Sequence, residues 1–164
     1  MHAIALWIKQ TSASQVLQDT LWAVPLLQTI HILAIAALFT SACMMNARLV
    51  GIFTRDEPMA EVLAPLARTV WIGLIFLAAT GVALVVAEPE RELENQLFWT
   101  KMALVTTAAV TTALGIRRTQ GRRYVDLSPT ARLGFCALAV LTTVLWVAII
   151  FCGRWIAYLD VFEV

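Results

Sequence analysis

The stretch LLQTIHILAIAALF, Leu26–Phe39, sets a single histidine in the middle of an aliphatic run, and how it is read decides the fold. Extended to Leu21–Met45, the run contains no Asp, Glu, Lys or Arg. A helix rises ~1.5 Å per residue, so about 20 such residues cross a hydrocarbon core roughly 30 Å thick. Three further stretches meet the same condition: Thr69–Ala87, Leu97–Ile116 and Leu133–Tyr158. Of the 164 residues, 60% are hydrophobic and 14% charged. With a mean hydropathy of +0.80, the chain lies outside the range of soluble domains. Alternating patterning of the β-barrel kind is absent. The expectation is an all-α, polytopic membrane four-helix bundle, one transmembrane domain over residues 1–164, with the lipid bilayer as its main partner.

Thr40-Ser41-Ala42-Cys43 is similar to a lipoprotein cleavage site, but no basic segment directly precedes the span, so residues 21–45 are expected to be retained. Ahead of them, Ile4, Trp7, Ile8, Val16 and Leu17 surround a polar middle. This predicts a short amphipathic helix lying at the interface, with Trp7 and Trp22 at headgroup level. Pro58 and Pro65 are expected to punctuate the first connection and Pro89 to end span two. Ser128-Pro129 reads as the cap and first position of the fourth helix.

Charge orients the spans. The third connection carries Arg117, Arg118, Arg122, Arg123 and Arg132 against Asp126; the first carries Arg48, Arg55 and Arg68; the second, EPERELEN, is acidic. The positive-inside rule puts the first and third on the cytoplasmic side of a bacterial inner membrane and both termini in the periplasm. Cys43, Cys136 and Cys152 have no Cys-x-x-Cys spacing and read as buried free thiols.

A charge at the bilayer centre costs at least ~2.5–3.5 kcal/mol and is retained with a partner, so ionisable residues inside spans are the functional candidates. They are His31, Lys101 and Arg154, with Glu88 closing span two on the same side. Lys101 and Arg154 are near enough to a span end to snorkel or to pair with Glu88 or Asp160. His31, ~15 Å from its span's start, is too deep for that. It either bonds Thr111 or Thr143 across the bundle or ligates a metal or haem, neutral imidazole being the commonest iron and copper ligand. A haem b between helices needs an axial nitrogen, small residues and cations near an interface for its propionates. His31, Ala34 with Ala37, and Lys101 with Arg154 meet these needs, and Tyr158 follows one turn after Arg154. His2 is the only other histidine, so bis-histidine ligation inside this chain is not on offer; a five-coordinate haem, a methionine ligand such as Met102 or a ligand from another subunit would be required. Copper is the competing metal, with Met44 and Met45 beside Cys43 as soft ligands, although adjacent helical residues diverge and cannot all meet one ion. Thr106, Thr107, Thr111, Thr112, Thr142 and Thr143 read as hydrogen-bonding glue between helices.

The succession HIL (His31–Leu33), NARLVG (Asn46–Gly51), TGVALVVAEP (Thr80–Pro89), FWTKMAL (Phe98–Leu104) and GRWIAY (Gly153–Tyr158) resembles a family of bacterial four-helix membrane proteins of unknown function, over nearly the whole chain. More distantly, a first-span histidine with a lysine early in span three is similar to CopD copper-resistance proteins and to the membrane protoporphyrinogen oxidase of bacteria. The resemblance implies haem or porphyrin binding, with His31 as ligand, Lys101 as its charged companion and Arg154 as the span-four cation. The further histidine expected near the end of span three is missing from LGIRRTQ, Leu114–Gln120.

The reading is therefore a small inner-membrane subunit that binds haem b or a similar redox group through His31, passing electrons or anchoring a periplasmic redox protein. No nucleophile, base and oxyanion set can be assembled for an enzyme. Copper or small-solute transport is the second expectation. The third is a structural accessory subunit without cofactor, in a homo-oligomer or larger membrane complex. No nucleic-acid partner is expected.

Overall fold

The computed structural model describes residues 2–162, with side chains for residues 2–156. Seven helices account for most of it: α1 (His2–Lys9), α2 (Ser12–Asp19), α3 (Ala23–Leu49), α4 (Met59–Ala87), α5 (Pro89–Leu93), α6 (Gln96–Arg118) and α7 (Pro129–Phe162). Among the described residues there is no strand, only an isolated antiparallel bridge between Pro58 and Arg123. Four helices, α3, α4, α6 and α7, are long and apolar enough to cross a membrane. Their composition explains the choice, because a helix satisfies its backbone polar groups internally where no water can. By these four helices the chain is a multi-pass membrane protein.

Local signals set the ends. Asn95 Oδ1 accepts from Leu97 N at 2.9 Å to start α6. Ser128 Oγ accepts from Ala131 N at 3.3 Å ahead of Pro129, as the sequence predicts for α7. Two expectations need correcting. The N-terminal segment is two short helices, because Thr11 caps α2 with its side chain and breaks the run after Lys9. Pro65 lies inside α4, which begins at Met59, ten residues ahead of the expected span. A proline in the second turn of a helix removes only a bond near its end, so the helix carries it. The acidic second connection folds as α5, with Pro89 at its first position.

Helix α3 packs along α4, and α6 along α7, while α3 also meets α7 and α4 only brushes α6. The two arginine-bearing connections lie together, joined by Met59 N to Arg122 O at 2.9 Å and Arg123 Nε to Asp56 O at 2.8 Å. At the opposite end α1 and α2 fold onto α4 and α5. Lys9 Nζ pairs with Glu90 at 2.7 Å, His2 Nδ1 lies 2.6 Å from Glu94 Oε1, and Gln18 Nε2 donates to Ala87 O at 2.9 Å.

The buried hydrophobic cluster is not spread evenly along the spans. Its members are Leu38, Ala42, Met45 and Leu49 of α3, Met59, Leu63, Ala67 and Val70 of α4, Ala108 of α6, Phe135, Ala139 and Trp146 of α7, and Leu127 just before it. All but Trp146, just past the middle of α7, lie in the halves nearest the arginine-bearing connections. In the other halves, among the described side chains of the four long helices, Ile156 and Trp146 at the midpoint of α7 are the only buried ones larger than threonine.

Candidate functional site

His31 belongs to that second, sparsely packed half. It lies eight residues into α3, and Thr80 lies seven residues before the end of α4. Because the two helices run antiparallel, this puts them at one depth. His31 Nδ1 is 2.7 Å from Thr80 Oγ1, and Thr80 Oγ1 donates to Phe76 O at 2.7 Å. A hydroxyl has one proton, and a helical threonine commonly gives it to the carbonyl four residues back. With that bond made, Thr80 accepts from Nδ1–H, and Nε2 is the unprotonated nitrogen. Nε2 has no hydrogen-bond partner among the described residues. Gly81 lies beside the ring, where an added Cβ would stand 3.9 Å from Cε1.

Lys101 comes from the other helix pair. Its side chain runs over Gly153 of α7, with Cδ 3.7 Å from where a Cβ of that glycine would stand, and Nζ lies 5.6 Å from the Phe98 ring centroid. It is the charged group whose field reaches the His31 imidazole. His31 and Lys101, both half-buried, thus lie within electrostatic reach of each other.

The other candidates are placed differently. Arg154 is exposed on α7, and the Tyr158 side chain lies outside the described residues. Glu88 pairs with Arg91 at 2.7 Å, three residues along the chain. Met45 is 3% exposed inside the hydrophobic cluster, whereas Met44 is 45% exposed and faces away from it, so the two share no site. Ala34 is half-buried and Ala37 exposed. The described residues hold no group of three or more His, Cys, Asp or Glu side chains suited to a metal ion. The three cysteines are free and half-buried.

Neither of the threonine partners expected for His31 is the one it has. Thr111 bonds its own helix, to Thr107 O at 2.8 Å, and Thr143 accepts from Asn46 Nδ2 at 2.9 Å. Asn46 also accepts from Thr142 at 2.9 Å, so one asparagine ties α3 to α7 in the packed half. Thr142 and Thr143 are interhelical glue as expected; Thr106, Thr107 and Thr111 are not, since they donate to carbonyls of α6 itself. Thr80 was not singled out from the sequence. The signal for it was its depth, since span two has no other hydroxyl between Thr69 and Glu88.

The chain belongs to the family of unknown function DUF6644, whose sequence model matches residues 17–159. That range includes His31, Thr80, Lys101 and Arg154. No curated protein and no solved structure matches the chain. The likeness to CopD and protoporphyrinogen-oxidase proteins rests on the sequence motifs alone.

Proposed function

We propose that this DUF6644 chain is an inner-membrane subunit that holds a haem b, or a comparable redox group, through His31, and that it passes electrons or anchors a periplasmic redox partner. The observation that carries the reading is the Thr80 bond to His31 Nδ1. It orients the imidazole with Nε2 as its free lone pair, as a ligand's other nitrogen is usually held by a neighbour. It does so in the half of the helices that holds little of the buried hydrophobic cluster.

The residues present offer one imidazole as a ligand. His31 would hold the iron, Lys101 would balance a propionate, and Gly81 and Gly153 keep side-chain bulk away from the two of them. When bound, the group would supply one-electron chemistry. The protein's part is to fix the ligand's tautomer, supply a countercharge and exclude water. No span holds a second histidine, so any further ligand would be Met102 or a residue of a partner subunit. The positive-inside rule supports a cytoplasmic arginine end, which puts His31 and both termini on the periplasmic side of a four-helix bundle. The copper-transport alternative draws no support from Met44 and Met45, which lie ~20 Å along α3 from His31 and point apart.

The test is iron and protohaem content of protein purified from haem-replete membranes, beside His31→Ala. The reading expects about one haem per chain, lost in the variant while helical content is kept. Folded wild-type protein that carries no haem would overturn it.

A further inference from the structure

The arginine-bearing end differs from the opposite end in how its charges are satisfied. Three close contacts between basic and acidic side chains of the described residues, His2–Glu94, Lys9–Glu90 and Arg91–Glu88, lie at the far end. Here the guanidinium groups are held by main-chain carbonyls instead. Arg48 Nη2 donates to Glu57 O at 2.8 Å, Arg123 Nε to Asp56 O at 2.8 Å and Arg132 Nη2 to Val125 O at 3.0 Å, and Arg55 Nε donates to Gly51 O. A carbonyl fixes direction without cancelling charge. Each group uses one of five N–H donors in this way.

Two of these arginines share one aromatic ring. The Arg55 and Arg132 guanidinium carbons lie 5.8 and 5.2 Å from the Tyr124 ring centroid. The ring is seated by Gly51, whose φ of +76° makes the turn after α3 and whose missing Cβ leaves the space that Tyr124 occupies. Behind them Arg48 is fully buried, and its Nε and Nη1 have no hydrogen-bond partner. Glu57 is the acid whose field reaches Arg48, from beyond ion-pair distance. The Tyr124 hydroxyl likewise has no partner among the described residues. The whole arrangement stands where α3 and α6 end and α4 and α7 begin, the level at which phospholipid phosphates lie beside a spanning helix.

We propose that the end formed by residues 50–58 and 119–132 binds an anionic phosphate group supplied by a phospholipid, with Arg55 and Arg132 as its contacts across Tyr124. Arginine suits this because its planar fork offers paired donors to phosphate oxygens and stacks on an aromatic face. Arg48 serves from within, tying the first connection through Glu57 O and adding a positive field that no ion pair cancels.

The experiment uses the full chain in detergent micelles, with native mass spectrometry and thermal unfolding against added phosphatidylglycerol, phosphatidylcholine and inorganic phosphate. Phosphatidylglycerol should be retained and raise the melting temperature well above phosphatidylcholine. Arg55→Gln and Arg132→Gln should each weaken that binding about fivefold, and Arg55→Lys, which keeps the charge, should weaken it less. Lys9→Gln at the opposite end should leave it unchanged. Equal retention of the two lipids, or wild-type binding by a folded Arg132→Gln protein, would overturn the site. Protection by inorganic phosphate with none by phosphatidylglycerol would overturn the lipid source and assign the end to a soluble phosphate.

Discussion

The stretch of α3 from Leu38 to Leu49 and the stretch from Ala23 to Ala37 are both apolar and helical, yet only the first is built into a core. Leu38 is buried against Gly73 of α4, Met45 lies in the hydrophobic cluster, and Asn46 has its amide satisfied by Thr142 and Thr143. In the second stretch Ile30, Ile32 and Leu33 face outward, and the inward-facing polar residue is His31, with one nitrogen bonded and one not. The difference teaches where each half gets its stability. The loop-side half is held by protein packing against protein, and the Asn46 amide is matched there by two threonines of α7. The other half holds a ligand-type side chain in a fixed orientation, with few buried side chains around it.

That contrast can be broken or sharpened by substitution. The largest effect should come from the core: Leu38→Ala should cost about 2–5 kcal/mol, while Leu33→Ala, on an outward face five residues earlier, should cost well under 1. Unfolding in mixed micelles measures both, and equal losses would erase the distinction between the halves. Next is Thr80→Val, which removes the bond to Nδ1. It should weaken retention of a His31-bound group about 10–100-fold, the usual cost of losing a ligand's supporting hydrogen bond, and should barely move the melting temperature. Titration of haem-depleted protein with haem reads this directly. Asn46→Ala should cost about 0.6–1.7 kcal/mol, in the range of interhelical hydrogen bonds within membranes, and leave haem retention unchanged. The smallest effect should be Lys9→Gln. The Lys9–Glu90 pair is largely exposed, so its loss should change stability by about 0–1 kcal/mol and matter less as salt rises.

Much of this was legible beforehand, and the reasons differ by element. Four apolar runs gave four long helices because a spanning segment has few alternatives to helix. The start of α4 was misplaced because Pro58, Glu61, Pro65 and Arg68 look like a connection. In the structure the charged pair simply faces outward on a helix that tolerates an early proline. His31 and Lys101 stood out as ionisable groups in apolar runs, and the fold brings them within electrostatic reach. Thr80 did not stand out, since a lone threonine in a span usually bonds only its own helix, as Thr106 does. Recognising it needs the register of α3 against α4, which no single span encodes. In the sequence, the arginines of the two connections speak only of sidedness. Their fixation by loop carbonyls around Tyr124 depends on two connections meeting in space, and hydropathy carries no trace of that.

The most direct test of the central claim is a reduced-minus-oxidised visible spectrum of the purified wild-type protein beside His31→Ala. The account predicts a Soret and an α-band in the wild type and neither in the variant, with both proteins equally helical. A featureless wild-type spectrum, or bands that survive in His31→Ala, would contradict it.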